Sequence, residues 1–253
     1  MKVRLSEVFT SVEGEGILYG TKTLFVRLAG CPFTCFYCDT PESLPLDSGT
    51  EYSVEEAAGL IDDSLQDHTY KVNFTGGDPL MQHEAVALLA GHVHSHARGV
   101  LTYLESSCFD AERFAHVLPH IDVAKVEFKT SDSEFVDAGH HEKMTGQALL
   151  CLERAVSARK TTYVKIVVSS RTAVQEILDL ASAIRDVLQR GRESSGRQED
   201  DDRDGAMSGF VIQPAYGRDE PPLGLLLSMY DAVRPIHPDV RVVPQLHKLI
   251  GAP

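Results

Sequence analysis

The sequence predicts an α/β fold, an incomplete (β/α)6 TIM-like barrel, and three observations lead there. Short β-rich runs alternate with helical patterns almost from end to end, the mark of βα units around a parallel sheet. The units number about six, fewer than the eight of a closed barrel, so the barrel should be open. The residues able to do chemistry fall just after the strands, where parallel α/β folds gather their reactive groups. A chain of 253 residues can bury one substantial core, and no composition shift or repeat divides it, so residues 1–253 read as one domain.

Strands are expected over residues 3–9, 23–28, 70–75, 100–105, 123–128, 162–168, 210–212 and 240–243, runs rich in branched and aromatic side chains. Ser53 with Glu56 reads as a capping box, after which Val54, Ala57, Ile61 and Leu65 share one helical face. Helical patterns follow over residues 80–97, 110–118 and 142–158. Thr172 and Gln175 repeat the capping pattern ahead of Val174, Ile177, Ala181, Ile184 and Leu188, and Gly191 reads as the C-cap. A last long helix is expected over residues 223–233. The stretch GRESSGRQEDDDRDGAMS is charged and almost free of apolar residues, which predicts a flexible acidic surface insertion over 191–208.

The net charge of -13 and the lack of any basic run exclude tight binding to nucleic acid, whose phosphates need clustered Lys and Arg. A small-molecule substrate fits better. No stretch approaches the roughly 20 apolar residues that span a bilayer, and the opening MKVRLSEVFT lacks an apolar core before a cleavage site. No membrane contact and a cytoplasmic location are therefore expected.

Cys31, Cys35 and Cys38 lie in CPFTCFYC with C-x3-C-x2-C spacing. Three thiolates can hold three irons of a 4Fe-4S cluster and leave the fourth open to a ligand. The alternative is a non-catalytic module built on structural zinc, but such sites close four ligands, usually as two separated pairs, and no second pair exists here. Cys108 and Cys151 stand alone and read as small buried residues. His92, His94 and His96 alternate on a helical pattern and cannot share a face, so they read as solvent-exposed, as does the pair His140 and His141.

Other unusual residues fall at strand ends: FTGGDPL over 74–80, Glu105 with its two following serines, EFKT over 127–130 and QPAY over 213–216. Together with the cysteine loop they make one rim. These motifs resemble the radical S-adenosylmethionine superfamily, through CPFTCFYC and through TGGDP, which stands where that superfamily has GGEP. Within it the chain resembles the 7-carboxy-7-deazaguanine synthases, through EVFTSVEGEG (7–16), FVRLAGC (25–31), CDT (38–40), TGGDPLMQ (75–82) and PQLHK (244–248). Two positions depart from the family: Glu13 stands where Gln is frequent, and Asp78 replaces the usual Glu.

The resemblance implies a radical S-adenosylmethionine barrel in which Cys31, Cys35 and Cys38 hold the cluster and its open iron chelates S-adenosylmethionine. Tyr37, Cys38 and Asp39 would lie on the adenine side and Gly77 near the methionine. Lys129, Thr130 and Ser131, with Gln213, Pro214, Ala215 and Tyr216, would hold the nucleoside. The implied reaction contracts the ring of 6-carboxy-5,6,7,8-tetrahydropterin, with loss of ammonia, to 7-carboxy-7-deazaguanine on the way to queuosine or archaeosine. Val12, Glu13, Gly14 and Thr75 would bind the pterin edge, with Glu105 beside them, and Arg27 would meet its carboxylate as a bidentate cation, the alternative being a structural ion pair with one of the many acidic residues. Thr40 would be the magnesium ligand. Pro253 follows soon after the QLHK motif, so its carboxylate is expected to reach the substrate, the alternative being a disordered tail. His247 sits in the QLHK motif, where packing explains it as well as catalysis does. The resemblance also implies a homodimer fed by an electron donor such as flavodoxin or ferredoxin. A glycyl-radical activating enzyme shares the cysteine spacing, but Arg27, the EGEG segment, Thr40 and QLHK favour the pterin.

Overall fold

The described strands form one sheet in the order β3-β1-β2-β4-β5-β6-β7-β8-β9. They are β1 (Lys2–Val12), β2 (Lys22–Leu28), β3 (Thr50–Ser53), β4 (Lys71–Gly76), β5 (Leu101–Ser106), β6 (Val123–Phe128), β7 (Thr161–Val168), β8 (Met207–Pro214) and β9 (Val240–Val242). The computed structural model describes residues 1–133, 138–195 and 207–252. From β2 to β9 every pairing is parallel, while β1 runs antiparallel to both β2 and β3. With β3 and β9 at opposite ends of the order, the barrel is open, as the number of βα units predicts.

The helices are α1 (Val54–Ser64), α2 (His83–His96), α3 (Ala111–Val117), α4 (Ala138–Ser157), α5 (Val174–Ser195), α6 (Leu223–Val233) and the short α7 (Leu246–Ile250). The capping box at α1 forms as expected: Ser53 Oγ accepts from Glu56 N at 3.1 Å while the Glu56 carboxylate accepts from Ser53 N at 2.8 Å. Alternation along the strands sorts two interiors. Val72 and Phe74, Val126 and Phe128, and Val164 and Ile166 join the main core with apolar residues of the helices. The opposite face of the same strands carries Lys71 and Asn73, Lys125 and Glu127, and Tyr163 and Lys165, and is mostly polar. At the N-terminal end of the barrel a small apolar cluster of Tyr103, Val123, Tyr163 and Val211 closes this second interior.

Several boundaries differ from expectation. β1 runs three residues past the predicted 3–9 because it pairs with β2 down to Val12. β3 and α7 have too few residues to show a period. Thr172 does not cap α5: its hydroxyl accepts from Ser169 N at 2.8 Å and lies 3.1 Å from both Asp132 carboxylate oxygens, and the helix begins two residues later. Gly191 does not stop α5, which continues to Ser195. An interior glycine costs only about 1 kcal/mol relative to alanine, and neighbouring turns carry it. The predicted insertion over 191–208 is thus helical at its start and strand at its end, where β8 begins at Met207. Residues 196–206 lie outside the described residues.

Candidate active site

The cysteine loop leaves the C-terminal end of β2, and the loop after β4 locks its base. Gly77 N donates to Leu28 O at 3.0 Å and Asp78 N to Gly30 O at 2.7 Å. Gly30 N and Cys31 N in turn donate to Ser43 O at 2.8 Å and Leu44 O at 2.9 Å. This close approach explains both glycines. A Cβ on Gly76, whose φ is +132°, would meet Leu28 O at 2.2 Å, and one on Gly77 would meet Gly30 O at 2.3 Å. Gln82, in the same motif, donates to Arg4 O and Ala29 O at 2.9 Å each and ties β1 to the residue before the loop. Asp78 is buried, and its carboxylate accepts from Leu80 N at 3.0 Å, Ser106 Oγ at 2.9 Å and Ser107 N at 2.8 Å. Burial pushes its carboxyl above the usual range, against those hydrogen bonds.

Above the loop bases lies a cavity of about 440 Å³. It brings together Cys31, Cys35 and Cys38 with Tyr37, Asp39 and Thr40, and with Thr75, Gly77 and Glu105. Val12, Glu13, Gly14, Arg27, Lys129 and Gln213 complete the expected residues on its wall. Five expected residues are not on it. Thr130 is buried behind Tyr37, through Ser133, whose hydroxyl lies 3.3 Å from Thr130 Oγ1 and 3.4 Å from the Tyr37 hydroxyl. Ser131 is exposed and faces Glu176 of α5, to which its amide donates at 2.6 Å. Pro214 ends β8, Ala215 N extends the ladder to Val168 O at 2.8 Å, and Tyr216 is exposed. Pro253 lies outside the described residues.

The donor set fits a cluster better than zinc. All three thiols are free and half-buried on one loop facing the cavity. Tetrahedral zinc with bonds of about 2.3 Å needs sulfurs only about 3.8 Å apart. Among the described residues, the set of three ligand-type side chains whose ligand atoms fall within 4.8 Å of one another is Glu15, Asp39 and His247, with no cysteine in it. Burial pushes the Cys31 thiol up to about 12, with Asp78 adding to the shift, and raises Cys38 as well. Gln213 also presents a buried side-chain oxygen with no partner on the cavity wall, an acceptor suited to a ligand N–H or O–H.

Sequence reasoning missed much of the charge in this cavity. Lys125 Nζ lies 2.7 Å from both Glu105 Oε1 and Glu127 Oε2, and Lys165 Nζ lies 3.2 Å from Glu127 Oε2 and is hydrogen-bonded to Glu15. Gln213 and Gln245 also donate to Glu15, at 3.0 and 2.8 Å. A detectable signal existed: Lys125, Glu127 and Lys165 are charges at alternate positions of otherwise apolar strands. Glu7 was missed too. It pairs with Arg27 Nε at 2.6 Å, and the Arg27 guanidinium lies 5.6 Å from the Phe9 ring centre, leaving its two Nη groups without a hydrogen-bond partner among the described residues. His247 faces the cavity, with Nε2 3.2 Å from Asp39 Oδ2, and Lys248 lies 3.6 Å from the same oxygen. Burial would raise Asp39, but His247, Lys248 and Arg27 outweigh it and hold the carboxyl below its usual value. His92 and His96 stack one helical turn apart and His94 turns toward Asp122 instead, so the three diverge.

Burial opposes ionisation of Glu105 and Glu127 as well, but Lys125 leads the neighbouring cations in holding both carboxyls below their ordinary 4.5. A folded value below the unfolded one gives stability that is full above about pH 4.5 and is lost as pH falls toward the folded value. Glu127→Gln should therefore cost roughly 3 kcal/mol near neutrality, and should flatten the loss of stability between about pH 5 and pH 3. Urea unfolding of the metal-free protein at several pH values measures this, and equal acid slopes for both proteins would refute the assignment.

Comparison with known proteins agrees with this geometry. Residues 12–145 match the family model described as a 4Fe-4S single cluster domain. The 7-carboxy-7-deazaguanine synthase of Archaeoglobus fulgidus is 31% identical over 260 residues, covering 99% of each chain. That of Methanothermobacter thermautotrophicus is 28% identical, covering 99% of this chain and 98% of the relative. In fold, QueE from Escherichia coli aligns over 98% of this chain and 95% of its own, with a TM-score of 0.56 at 18% identity. Full-length similarity to named synthases, with the cysteine loop and its cavity in place, shows that the chain belongs to the 7-carboxy-7-deazaguanine synthase family.

Proposed function

We propose that this protein binds 6-carboxy-5,6,7,8-tetrahydropterin in the cavity beneath its cysteine loop and contracts the ring to 7-carboxy-7-deazaguanine with loss of ammonia. Membership of the family makes the chain a radical S-adenosylmethionine lyase of the deazapurine pathway that carries a 4Fe-4S cluster. The observation that carries the pterin reading is that the cysteine triplet and an arginine with two uncommitted Nη groups line one cavity of about 440 Å³. When bound, the cluster and S-adenosylmethionine supply the one-electron chemistry that removes and returns a hydrogen atom.

The chain's own residues position and shield. Glu7 fixes Arg27 through Nε, so the Nη pair meets the substrate carboxylate already oriented. Thr75 Oγ1 donates to Glu105 at 3.2 Å, and these two groups, with the Val12, Glu13 and Gly14 backbone, meet the polar edge of the pterin. Thr40 Oγ1 would be the protein ligand to magnesium, an ion that takes few protein oxygens and keeps waters. Tyr37, Cys38 and Asp39 line the adenine side, and Gly77 the methionine side. Lys129 and Gln213, the two of the expected nucleoside residues that line the cavity, support the nucleoside, and Thr130 backs the adenine side from behind Tyr37 through Ser133.

The test is anaerobic incubation of reduced, reconstituted protein with S-adenosylmethionine, magnesium and the pterin, with product read by mass. Reductive cleavage of S-adenosylmethionine without the deazaguanine would keep the chemistry and reject the substrate. Arg27→Ala removes a charged partner worth about 2–4 kcal/mol, so KM for the pterin should rise roughly 30- to 1000-fold, while reductive cleavage without substrate persists. The protein works as a single domain spanning residues 1–253, in the cytoplasm, as a homodimer reduced by a flavodoxin or ferredoxin. One sheet carries every described strand, which supports the single domain. None of the described helices is long and apolar enough to cross a membrane.

A further inference from the structure

The turn between β1 and β2 folds into the barrel from below and forms the cavity floor. Ile17 and Leu18 pack on the lumen cluster of Tyr103, Val123, Tyr163 and Val211, and a Cβ on Gly16 would meet the Tyr163 hydroxyl at 2.0 Å. The first residue of the turn is held by a buried ion pair. Glu13 is 2% exposed and Lys71, which opens β4, is 0% exposed, and Lys71 Nζ donates to Glu13 Oε2. Asn73 Nδ2 lies 3.3 Å from the same oxygen, and Lys71 Nζ sits 3.6 Å from the Tyr103 ring centre. The other oxygen, Glu13 Oε1, accepts from Glu15 N at 3.2 Å. One residue on, Gly14 O accepts from Leu246 N at 2.9 Å, and a Cβ on Gly14 would lie 2.2 Å from His247 Nδ1.

We propose that Lys71, which does not line the cavity, is a positioning residue for substrate binding. By pinning the Glu13 carboxylate it fixes the Val12, Glu13 and Gly14 backbone and, through Gly14, seats His247 on the cavity wall. The inference rests on the pterin reading of this cavity. Two charges taken wholly out of water are a weak source of stability, because desolvation offsets their attraction. What the pair supplies is one geometry. Neither charge has a second home: the described surroundings of Lys71 offer one carboxylate within bonding distance and an aromatic face.

The test compares Lys71→Met, Glu13→Gln and the double variant by KM for 6-carboxytetrahydropterin and by amide hydrogen exchange without substrate. Lys71→Met should raise KM about tenfold or more with kcat within about threefold, the pattern of lost uniform binding. The Glu15 and Leu246 amides should exchange about tenfold faster while those of β6 and β7 do not change. The double variant should lie within about threefold of Lys71→Met in both readouts, because each single change already breaks the one contact that pins the turn. An unchanged KM, exchange that quickens equally across the whole sheet, or a double variant as impaired as the product of the singles would overturn the proposal. If Lys71→Met does not fold, the double variant against wild type decides, and equal KM values and equal Glu15 and Leu246 exchange overturn it. Exchange coupling that persists in a protein whose wild type does not bind the pterin would reject the substrate and leave the Lys71 linkage standing.

Discussion

Cys35→Ala should abolish the cluster and, with it, both S-adenosylmethionine cleavage and product formation, by at least about a thousandfold, as loss of one member of a unit does. Three thiols on one loop are the minimum for a cluster with one open iron, so two leave it unanchored. The loss should be chemical and not structural. Cys35 is half-buried on a loop, and truncating such a side chain away from the core changes stability by about 0.5 kcal/mol. Cys108→Ala and Cys151→Ala make the contrast. Both residues are wholly buried, Cys151 against Cys108 O at 3.7 Å, so each should cost about 1–2 kcal/mol and leave the cluster intact. Iron and sulfide content, visible absorbance and thermal unfolding of the three variants separate the roles. A Cys35→Ala protein that keeps its iron would reject the assignment.

The cysteine loop, the glycine loop and most strands were legible because each depends on local spacing. The alternation of Val72 and Phe74 with Lys71, Asn73 and Thr75 was legible as well, but not its meaning. In an open sheet a polar alternate face reads as solvent, and only curvature into a barrel turns it inward, where Lys125, Glu127 and Lys165 neutralise one another. The Glu7 and Arg27 pair depends on register: β1 and β2 bring these residues opposite each other, and the turn over 13–21 sets that register. His247 is further from local reading. It reaches the cavity through the hydrogen bond from Leu246 N to Gly14 O, two residues 232 positions apart in sequence. No period or motif spacing encodes such a contact. Thr172 shows the converse error: its capping pattern is present, but Ser169 and Asp132 compete for the same hydroxyl and win.

Gly77→Ala should be nearly as damaging as loss of a cysteine, although it adds one methyl group and removes nothing. Its φ lies outside the left-handed region, so the backbone can accept alanine, and the penalty is space alone. The new Cβ would meet Gly30 O at 2.3 Å, Gly30 C at 2.6 Å and Ser43 O at 2.9 Å. All three are backbone atoms and cannot rotate away. Relief requires the loop after β4 to part from the cysteine loop by about 1 Å, which stretches the bonds from Asp78 N to Gly30 O and from Gly77 N to Leu28 O. Cys31 is the next residue. A displacement of about 1 Å at a reacting centre can cost a hundredfold, so kcat/KM should fall by about 10² or more, with a stability cost of about 1–3 kcal/mol. Gly146→Ala is the control. It lies within α4 with nothing within 4 Å of its Cβ, so alanine there should add up to about 1 kcal/mol of stability and leave activity unchanged. If Gly77→Ala matches Gly146→Ala in activity and cluster content, the two loops are not the rigid pair that the backbone contacts describe.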